Sequence, residues 1–146
     1  MALPFRELQK AVYQKLTTDA PLLSLLTVDN DNGYYGIYDY VTEETPFPYI
    51  VIGEPSMSLE KEVKVEDIVE ETLLLHVWHN QATSGKYGNA TVYDILSAIH
   101  TALAYELVLQ NYKVMRVTPS QPRVFDDIDN IRKHGVITFK FQLLKK

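Results

Sequence analysis

The feature that most constrains the fold is a strict alternation of apolar and polar residues near the end of the sequence, at residues 135–144. Ile137, Phe139, Phe141 and Leu143 alternate there with residues that are mostly polar. Because successive side chains of a strand point to opposite faces, this pattern predicts a strand with one face that must be buried. An apolar sheet face needs a second layer, and the chain offers helices to supply it.

Two amphipathic helices are predicted. The first covers residues 4–18, and the second runs from Asn89, a candidate N-cap, to about Ala104. A short helical piece at residues 22–26 follows the first. The apolar stripes of the two main helices are Phe5, Leu8, Val12 and Leu16 in the first, and Val92, Ile95, Leu96, Ile99 and Leu103 in the second.

The strands follow each other without helices between them, which indicates antiparallel pairing. In the third strand, Leu73, Leu75 and Val77 are predicted to face one side, and Leu74 and Trp78 the other. The order α-β-β-β-α-β-β predicts an α+β fold: a mostly antiparallel β-sheet with two main helices packed on one face, in a single domain of residues 1–146. The predicted strands are residues 36–41, 47–53, 72–80, 112–118 and 135–144.

Composition excludes several classes of protein. The chain has 146 residues, no cysteine, a net charge of −5 and a sequence pI near 5.3. Without cysteine there is no disulfide scaffold, no cysteine-ligated zinc and no thiol catalysis. The acidic balance argues against an extended basic footprint for nucleic acid. No signal peptide or membrane-spanning run is visible, so we expect a protein that is made in the cytoplasm.

The histidines do not predict a metal site. His76 and His79 are three residues apart on a strand, so they face opposite sides of the sheet. His100 and His134 belong to other elements, and no carboxylate partner is evident for either. Structural or interfacial roles are therefore the better interpretation.

Three short motifs resemble ligand-binding loops and fail in detail. Residues 29–33 (DNDNG) have their glycine one position too early for a calcium-binding EF-hand loop, and Tyr40 stands where the bidentate Glu belongs. Residues 84–86 (SGK) lack the upstream glycine of a phosphate-binding loop. Residues 126–130 (DDIDN) are more simply a solvated loop than a cation site. We expect no catalytic residues, cofactor or metal, and no enzymatic activity.

One segment carries a resemblance to a known family. Residues 36–41 (GIYDYV) followed by residues 45–53 (TPFPYIVIG) form an irregular strand entry with two prolines, and this pattern resembles that of phage tail-completion proteins. Further matches follow in the same order along nearly the whole chain: residues 18–22 (TDAPL), 73–78 (LLLHVW), 95–103 (ILSAIHTAL), 123–127 (RVFDD) and 134–136 (HGV).

The resemblance implies a structural virion protein of a tailed bacteriophage or prophage. Members of the family are thought to terminate the tail tube and join the tail to the head connector, typically as a homo-oligomeric ring of six subunits. The expected partners are other copies of the chain, the tail-tube protein and the head-completion or connector protein. Genomic DNA would pass through without sequence-specific binding, and no membrane is involved. Assembly would take place in the host bacterial cytoplasm, and the protein would then stay in the virion at the head–tail junction.

The charged segment of residues 56–67 is predicted to be a mobile projecting loop or hairpin tip that orders on assembly. Its candidate assembly residues are Glu60, Lys61, Glu62, Lys64, Glu66 and Asp67. Three alternatives remain open: a neighbouring head-completion or minor tail protein, a part of a tail-derived contractile or secretion machine, and a small metal- or ligand-binding domain.

Overall fold

The computed structural model describes residues 3–59, 68–126 and 131–146. The helices are α1 (Phe5–Thr17), α2 (Ala20–Leu23), α3 (Gln81–Ser84) and α4 (Ala90–Leu103). The strands are β1 (Ile37–Tyr38), β2 (Tyr49–Leu59), β3 (Ile68–Asn80), β4 (Tyr112–Asp126) and β5 (Arg132–Lys145). No helix in the described ranges combines the length and apolar character needed to cross a membrane.

The strands form one sheet in the order β1-β2-β3-β5-β4. β2 pairs antiparallel with β3, β3 with β5, and β5 with β4, which confirms the predicted α+β class and the mostly antiparallel sheet. β1 is the exception, because it pairs parallel with β2. Residues 39–48 make this possible, since they carry the chain back along the edge of the sheet before β2 begins.

The last four strands extend beyond their predicted bounds, and β4 and β2 extend the furthest. β4 continues past residue 118 to Asp126, although Pro119 and Pro122 interrupt its backbone donors. An edge strand tolerates proline because one of its sides needs no ladder partner, and the register shifts between Ser120 and Arg123 absorb the irregularity. β2 likewise extends to Leu59, which pairs with Val69. Residues 56–59 of the segment predicted as a loop are therefore strand.

The smaller elements also differ from prediction. β1 has two residues rather than six, and α2 begins at Ala20 because the Asp19 carboxylate accepts a hydrogen bond from the Leu22 amide at 2.9 Å. The short helix α3 was not predicted. Asn89 stands at the N-cap position of α4 as expected, but its side chain makes no capping hydrogen bond. Its Nδ2 donates to the Tyr93 hydroxyl instead.

The core lies between α1, α4 and one face of the sheet. Residues of β3 alternate between buried and half-buried along the whole strand, with Leu73, Leu75 and Val77 on the buried side as predicted. The predicted stripe of α4 is buried throughout. Gly135 of β5 sets how closely α4 approaches the sheet, because a Cβ at this position would lie 2.6 Å from Val92 Cγ1.

One core position carries a carboxylate. Glu71 of β3 is fully buried between Val69 and Leu73, and it stands opposite Phe141 of β5. Within the described part of the chain, neither of its carboxylate oxygens has a hydrogen-bond partner. Loss of hydration disfavours the charged form, so burial raises the pKa of the Glu71 carboxyl from 4.5 to about 7.

Substituting Gly135 by Ala is expected to lower the free energy of unfolding by about 1–3 kcal/mol, because the new methyl group pushes α4 away from β5. Urea denaturation followed by circular dichroism measures the change. Gly53→Ala is the matched control, since a Cβ there meets its nearest neighbour at 3.5 Å, and it should change stability by no more than about 0.5 kcal/mol. Val92→Ala should rescue part of the Gly135→Ala loss in a double-mutant cycle. An unchanged or more stable Gly135→Ala protein would contradict the close approach.

Glu71 is expected to make the fold less stable as the pH rises. The folded state holds the Glu71 proton more tightly than the unfolded state, so its stabilising effect is complete below pH 4.5 and is lost between pH 4.5 and about 7. The difference in unfolding free energy between Glu71→Gln and wild type should therefore shift in favour of the variant by about 3 kcal/mol from pH 4 to pH 8. Glu70→Gln is the control, because the Glu70 side chain on the opposite face reaches solvent. A pH-independent difference for Glu71→Gln would refute this assignment.

Candidate functional site

The second face of the sheet is covered by no helix in the described part of the chain, and we call it the open face. Its side chains are those that alternate with the core residues of β3 and β5. They are half-buried rather than buried, apart from Lys140, which is exposed. The open face is formed by Glu70, Thr72, Leu74, His76 and Trp78 of β3 with His134, Val136, Thr138, Lys140 and Gln142 of β5.

A cluster of rings occupies one end of the open face. The His134 ring stacks on Trp78, with ring centres 3.9 Å apart and planes 9° apart. Phe125 of β4 meets the same imidazole edge-on at 4.6 Å. The register of the strands explains the arrangement, because Trp78, His134 and Phe125 stand directly opposite one another on β3, β5 and β4.

A chain of hydrogen bonds crosses this cluster. His76 Nδ1 lies 2.8 Å from His134 Nε2, and His76 Nε2 lies 2.5 Å from Glu54 Oε2. Since a carboxylate only accepts, His76 Nε2–H donates to Glu54, and a neutral His76 then accepts at Nδ1 from His134. Glu54 reaches His76 from an irregular part of β2, where its φ is 33°. The chain fixes both imidazoles in one orientation.

The prediction that His76 and His79 face opposite sides is confirmed, because His79 is fully buried on the helix side. The strand register also brings Glu54, His76 and His134 together, a contact that the sequence analysis did not predict. These residues are 22 and 58 positions apart, and no local pattern reports a cross-strand register. The only available signal was that His76 and His134 both occupy non-core positions of predicted strands.

His79 has a structural role in the turn that precedes α4. Its Nε2 lies 3.1 Å from the Lys86 carbonyl oxygen and 3.3 Å from Ser84 Oγ. Gln81 joins the same turn to the start of β5, because its amide donates to the Ile131 carbonyl and its oxygen accepts from the Gly88 amide. The residues of the incomplete phosphate-loop motif are thus exposed, and the buried side chains of His79 and Gln81 hold the turn that contains them.

The other acidic motifs also make local contacts. Residues 29–33 form a tight turn in which Asn32 Nδ2 donates to Asp29 Oδ2 at 2.6 Å, and Gly33 adopts a left-handed conformation with φ of 78°. Asp126 forms an ion pair with Lys133, and residues 127–130 lie outside the described residues. Across the described ranges, no three His, Asp or Glu side chains are grouped as a metal ion would require.

The predicted assembly residues Glu60, Lys61, Glu62, Lys64, Glu66 and Asp67 all lie outside the described residues. Their flanks are well defined, because Leu59 and Val69 are paired at the ends of β2 and β3. The segment therefore connects two neighbouring antiparallel strands, which is the position predicted for it.

A cleft of about 420 Å³ separates α1 from β1 at one edge of the sheet. Three tyrosines, Tyr13, Tyr35 and Tyr38, line it, and Ile37 and Ile52 contribute apolar surface. Gln9 Nε2 donates to Asp39 Oδ2 at 3.4 Å beside the cleft. Like the ring cluster, this cleft offers aromatic side chains with polar tips, which are common in surfaces that contact other proteins.

Comparison with known proteins gives three findings. The family described as tail completion protein gp17 matches residues 10–143. Tail completion protein gp17 of Bacillus phage SPP1 is 28% identical to this chain over 139 residues, which cover 94% of this chain and 92% of that protein. One chain in the structure of the virion of a native gene transfer agent particle superposes with a TM-score of 0.79 at 20% identity, and the match covers all of both chains. At that identity, the structural likeness concerns the fold.

Proposed function

The chain belongs to the tail completion protein family and has a structural role in a phage tail, and we propose on that premise that it terminates the tail tube and joins the tail to the head connector. The observation that carries the proposal is the family match over residues 10–143. Its partners would be further copies of the chain in a ring of six subunits, the tail-tube protein and the head-completion protein. It would assemble in the host cytoplasm and remain at the head–tail junction of the virion.

The surfaces of the fold support a role in joining proteins. The open face has rings held in place by stacking and hydrogen bonds, so little side-chain entropy would be lost on contact. β4 is an edge strand, and apart from a bridge between Lys113 and Val108 its outer side pairs with no strand in the described part of the chain. A protein that joins tube, connector and neighbouring subunits needs several such surfaces at once.

The net charge of −5 supports the passage of DNA through the proposed ring. A negative ring repels phosphates on average, and this lowers the tendency of the lumen to hold the genome during ejection. The charge is a property of the whole chain, so it supports passage without assigning residues to the lumen.

We also propose that residues 60–67 form an assembly loop. The segment connects β2 and β3 and contains six charged residues among its eight. Charged segments with few apolar residues commonly fold on binding, and this would let the loop order against a partner.

The test of the joining function is deletion of this gene in the phage or prophage that carries it, followed by electron microscopy of the lysate. We expect full heads and separate tails, because joining is the step that fails. Supplying the wild-type chain from a plasmid should restore joined, infectious particles. Normal virions in the deletion strain would refute the proposal, and empty heads without any tails would point to a different morphogenetic step. Separate tails of abnormal length would agree with the terminating role.

The test of the assembly loop replaces residues 61–67 with a two-residue Asn-Gly turn, which has the length that keeps Leu59 opposite Val69. The free energy of unfolding should change by less than about 1 kcal/mol, because the pairing of β2 with β3 is kept and loop length has a small effect on stability. Infectious particles should fall at least about a hundredfold in the complementation assay. A variant that folds normally and restores full infectivity would eliminate the assembly role.

A further inference from the structure

Acidic and basic residues are concentrated in different parts of the chain. Residues 16–60 contain no Lys or Arg, although they contain eight Asp and Glu. Residues 107–146 contain eight of the chain's 14 Lys and Arg and only three of its 19 Asp and Glu. The net charge of −5 therefore combines an acidic part of the chain with a basic part.

The topology of the sheet places these two parts at opposite edges. Residues 27–48 surround β1 at one end of the strand order, and β4 stands at the other end beside β5. We call the first the acidic edge; its exposed carboxylates are Asp29, Asp31, Asp39, Glu43 and Glu44. We call the second the basic edge; its exposed cations are Lys113, Arg116 and Arg123 of β4 and Lys140 of β5.

The two edges cannot neutralise each other within one molecule. Five strands at the usual spacing separate them by roughly 19 Å, which is more than twice the Debye length of about 8 Å at physiological ionic strength. Among the described residues, each edge has counter-charges nearby. Asp126 is paired with Lys133 on the basic edge, and Glu70 of β3 lines the same surface cavity as Arg116 and Lys140, whereas Arg6 and Lys10 of α1 line the cleft beside the acidic edge. These described counter-charges are fewer than the charges of the edge they lie beside. Each edge therefore presents its own charge to solvent.

Both edges also expose apolar side chains. On the basic edge, Met115 and Phe125 are 49% and 45% exposed. On the acidic edge, Tyr35 and Tyr40 are 46% and 78% exposed. Tyr, Phe and Met are the side chains most enriched at protein interfaces, and here they lie among complementary charges.

We propose that the acidic edge of one copy of this chain binds the basic edge of a second copy, head to tail. The contact joins unlike surfaces, so it is heterologous and can be repeated around an axis until a ring closes. A twofold dimer formed through one edge would instead bring like edges together, and like charges across an interface are strongly unfavourable. The inference rests on the proposed function, because it assigns the subunit interface of the proposed ring.

A nucleic acid is the competing occupant of the basic edge, since phosphates also attract Lys and Arg. A second copy fits the observations better, because it also accounts for the acidic edge and for the apolar side chains on both edges. DNA binding is retained below as an outcome of the test.

The test uses two triple charge reversals in the full chain. Lys113→Glu, Arg116→Glu and Arg123→Glu together make both edges acidic, and Asp31→Lys, Glu43→Lys and Glu44→Lys together make both edges basic. All six side chains are exposed, so both variants should fold. Self-association is measured by static light scattering at low salt, which detects weak attraction through the second virial coefficient, and by sedimentation velocity at high protein concentration.

Each variant alone should associate at least about tenfold more weakly than wild type, because its edges repel. An equimolar mixture should recover association, because the two variants alternate with unlike edges in contact. The control is Asp94→Lys, an exposed charge reversal on α4 rather than on either edge; it should associate like wild type. In phage complementation, each variant should fail alone, and the two together should restore infectivity.

The outcomes separate the two proposals. If the wild-type chain restores joining in the deletion strain but both variants associate like wild type, the edge contact is wrong and the joining function stands. If the mixture recovers association but no chain restores joining, the edge contact stands and the joining function is wrong. Absence of any salt-sensitive attraction between wild-type molecules would overturn the edge contact. The edge contact would also be overturned if the reversals on the basic edge, Arg116→Glu and Arg123→Glu among them, abolished duplex-DNA binding in fluorescence anisotropy and had no other effect.

Discussion

The rest of the structure depends on the ladder between β3 and β5. It pairs thirteen residues of each strand without a register shift, from Ile68 with Leu144 to Asn80 with Arg132. These residues belong to distant parts of the sequence, so the ladder must close a long loop before its contacts become favourable. Once closed, it places Leu73, Leu75, Phe139 and Phe141 on one face and forms the surface on which α4 packs. The other face receives Trp78, His76 and His134.

The buried side of this ladder is closely packed, but it also contains one carboxyl group. Gly135 removes a side chain so that Val92 can approach the sheet, whereas Glu71 places a carboxyl group among apolar residues. A buried carboxyl without a hydrogen-bond partner is least unfavourable when it holds its proton, and its raised pKa near 7 expresses that preference. Positions that break the local rule for a core often have a role beyond packing. At Glu71 the consequence is a stability that depends on pH close to neutrality.

Much of the fold was predictable because its signals are local. The stripe from Val92 to Leu103 and the alternation from Ile137 to Leu143 each report their own element and buried face, and both were confirmed. The errors occurred where tertiary context decides. The fourth strand was predicted to end at residue 118, but β4 is an edge strand and continues through Pro119 and Pro122. The Glu54–His76–His134 chain was missed because it exists only through cross-strand register, which no spacing in the sequence reports.

The charge distribution depends both on the local sequence and on the strand order. That residues 16–60 lack basic residues is readable from the sequence, but only the strand order makes the acidic and basic parts opposite edges of one sheet. Pairs of exposed charges contribute about 0–1 kcal/mol each, so a few of them, with the modest apolar surface of Tyr40 or Phe125, give a weak contact between free subunits. A tail end that holds several copies side by side raises their effective concentration and makes each further contact almost intramolecular. A weak contact between the edges is therefore compatible with separate subunits in solution and with the proposed closed ring on the tail. On the same proposal, its low affinity would keep rings from closing where no tail is present.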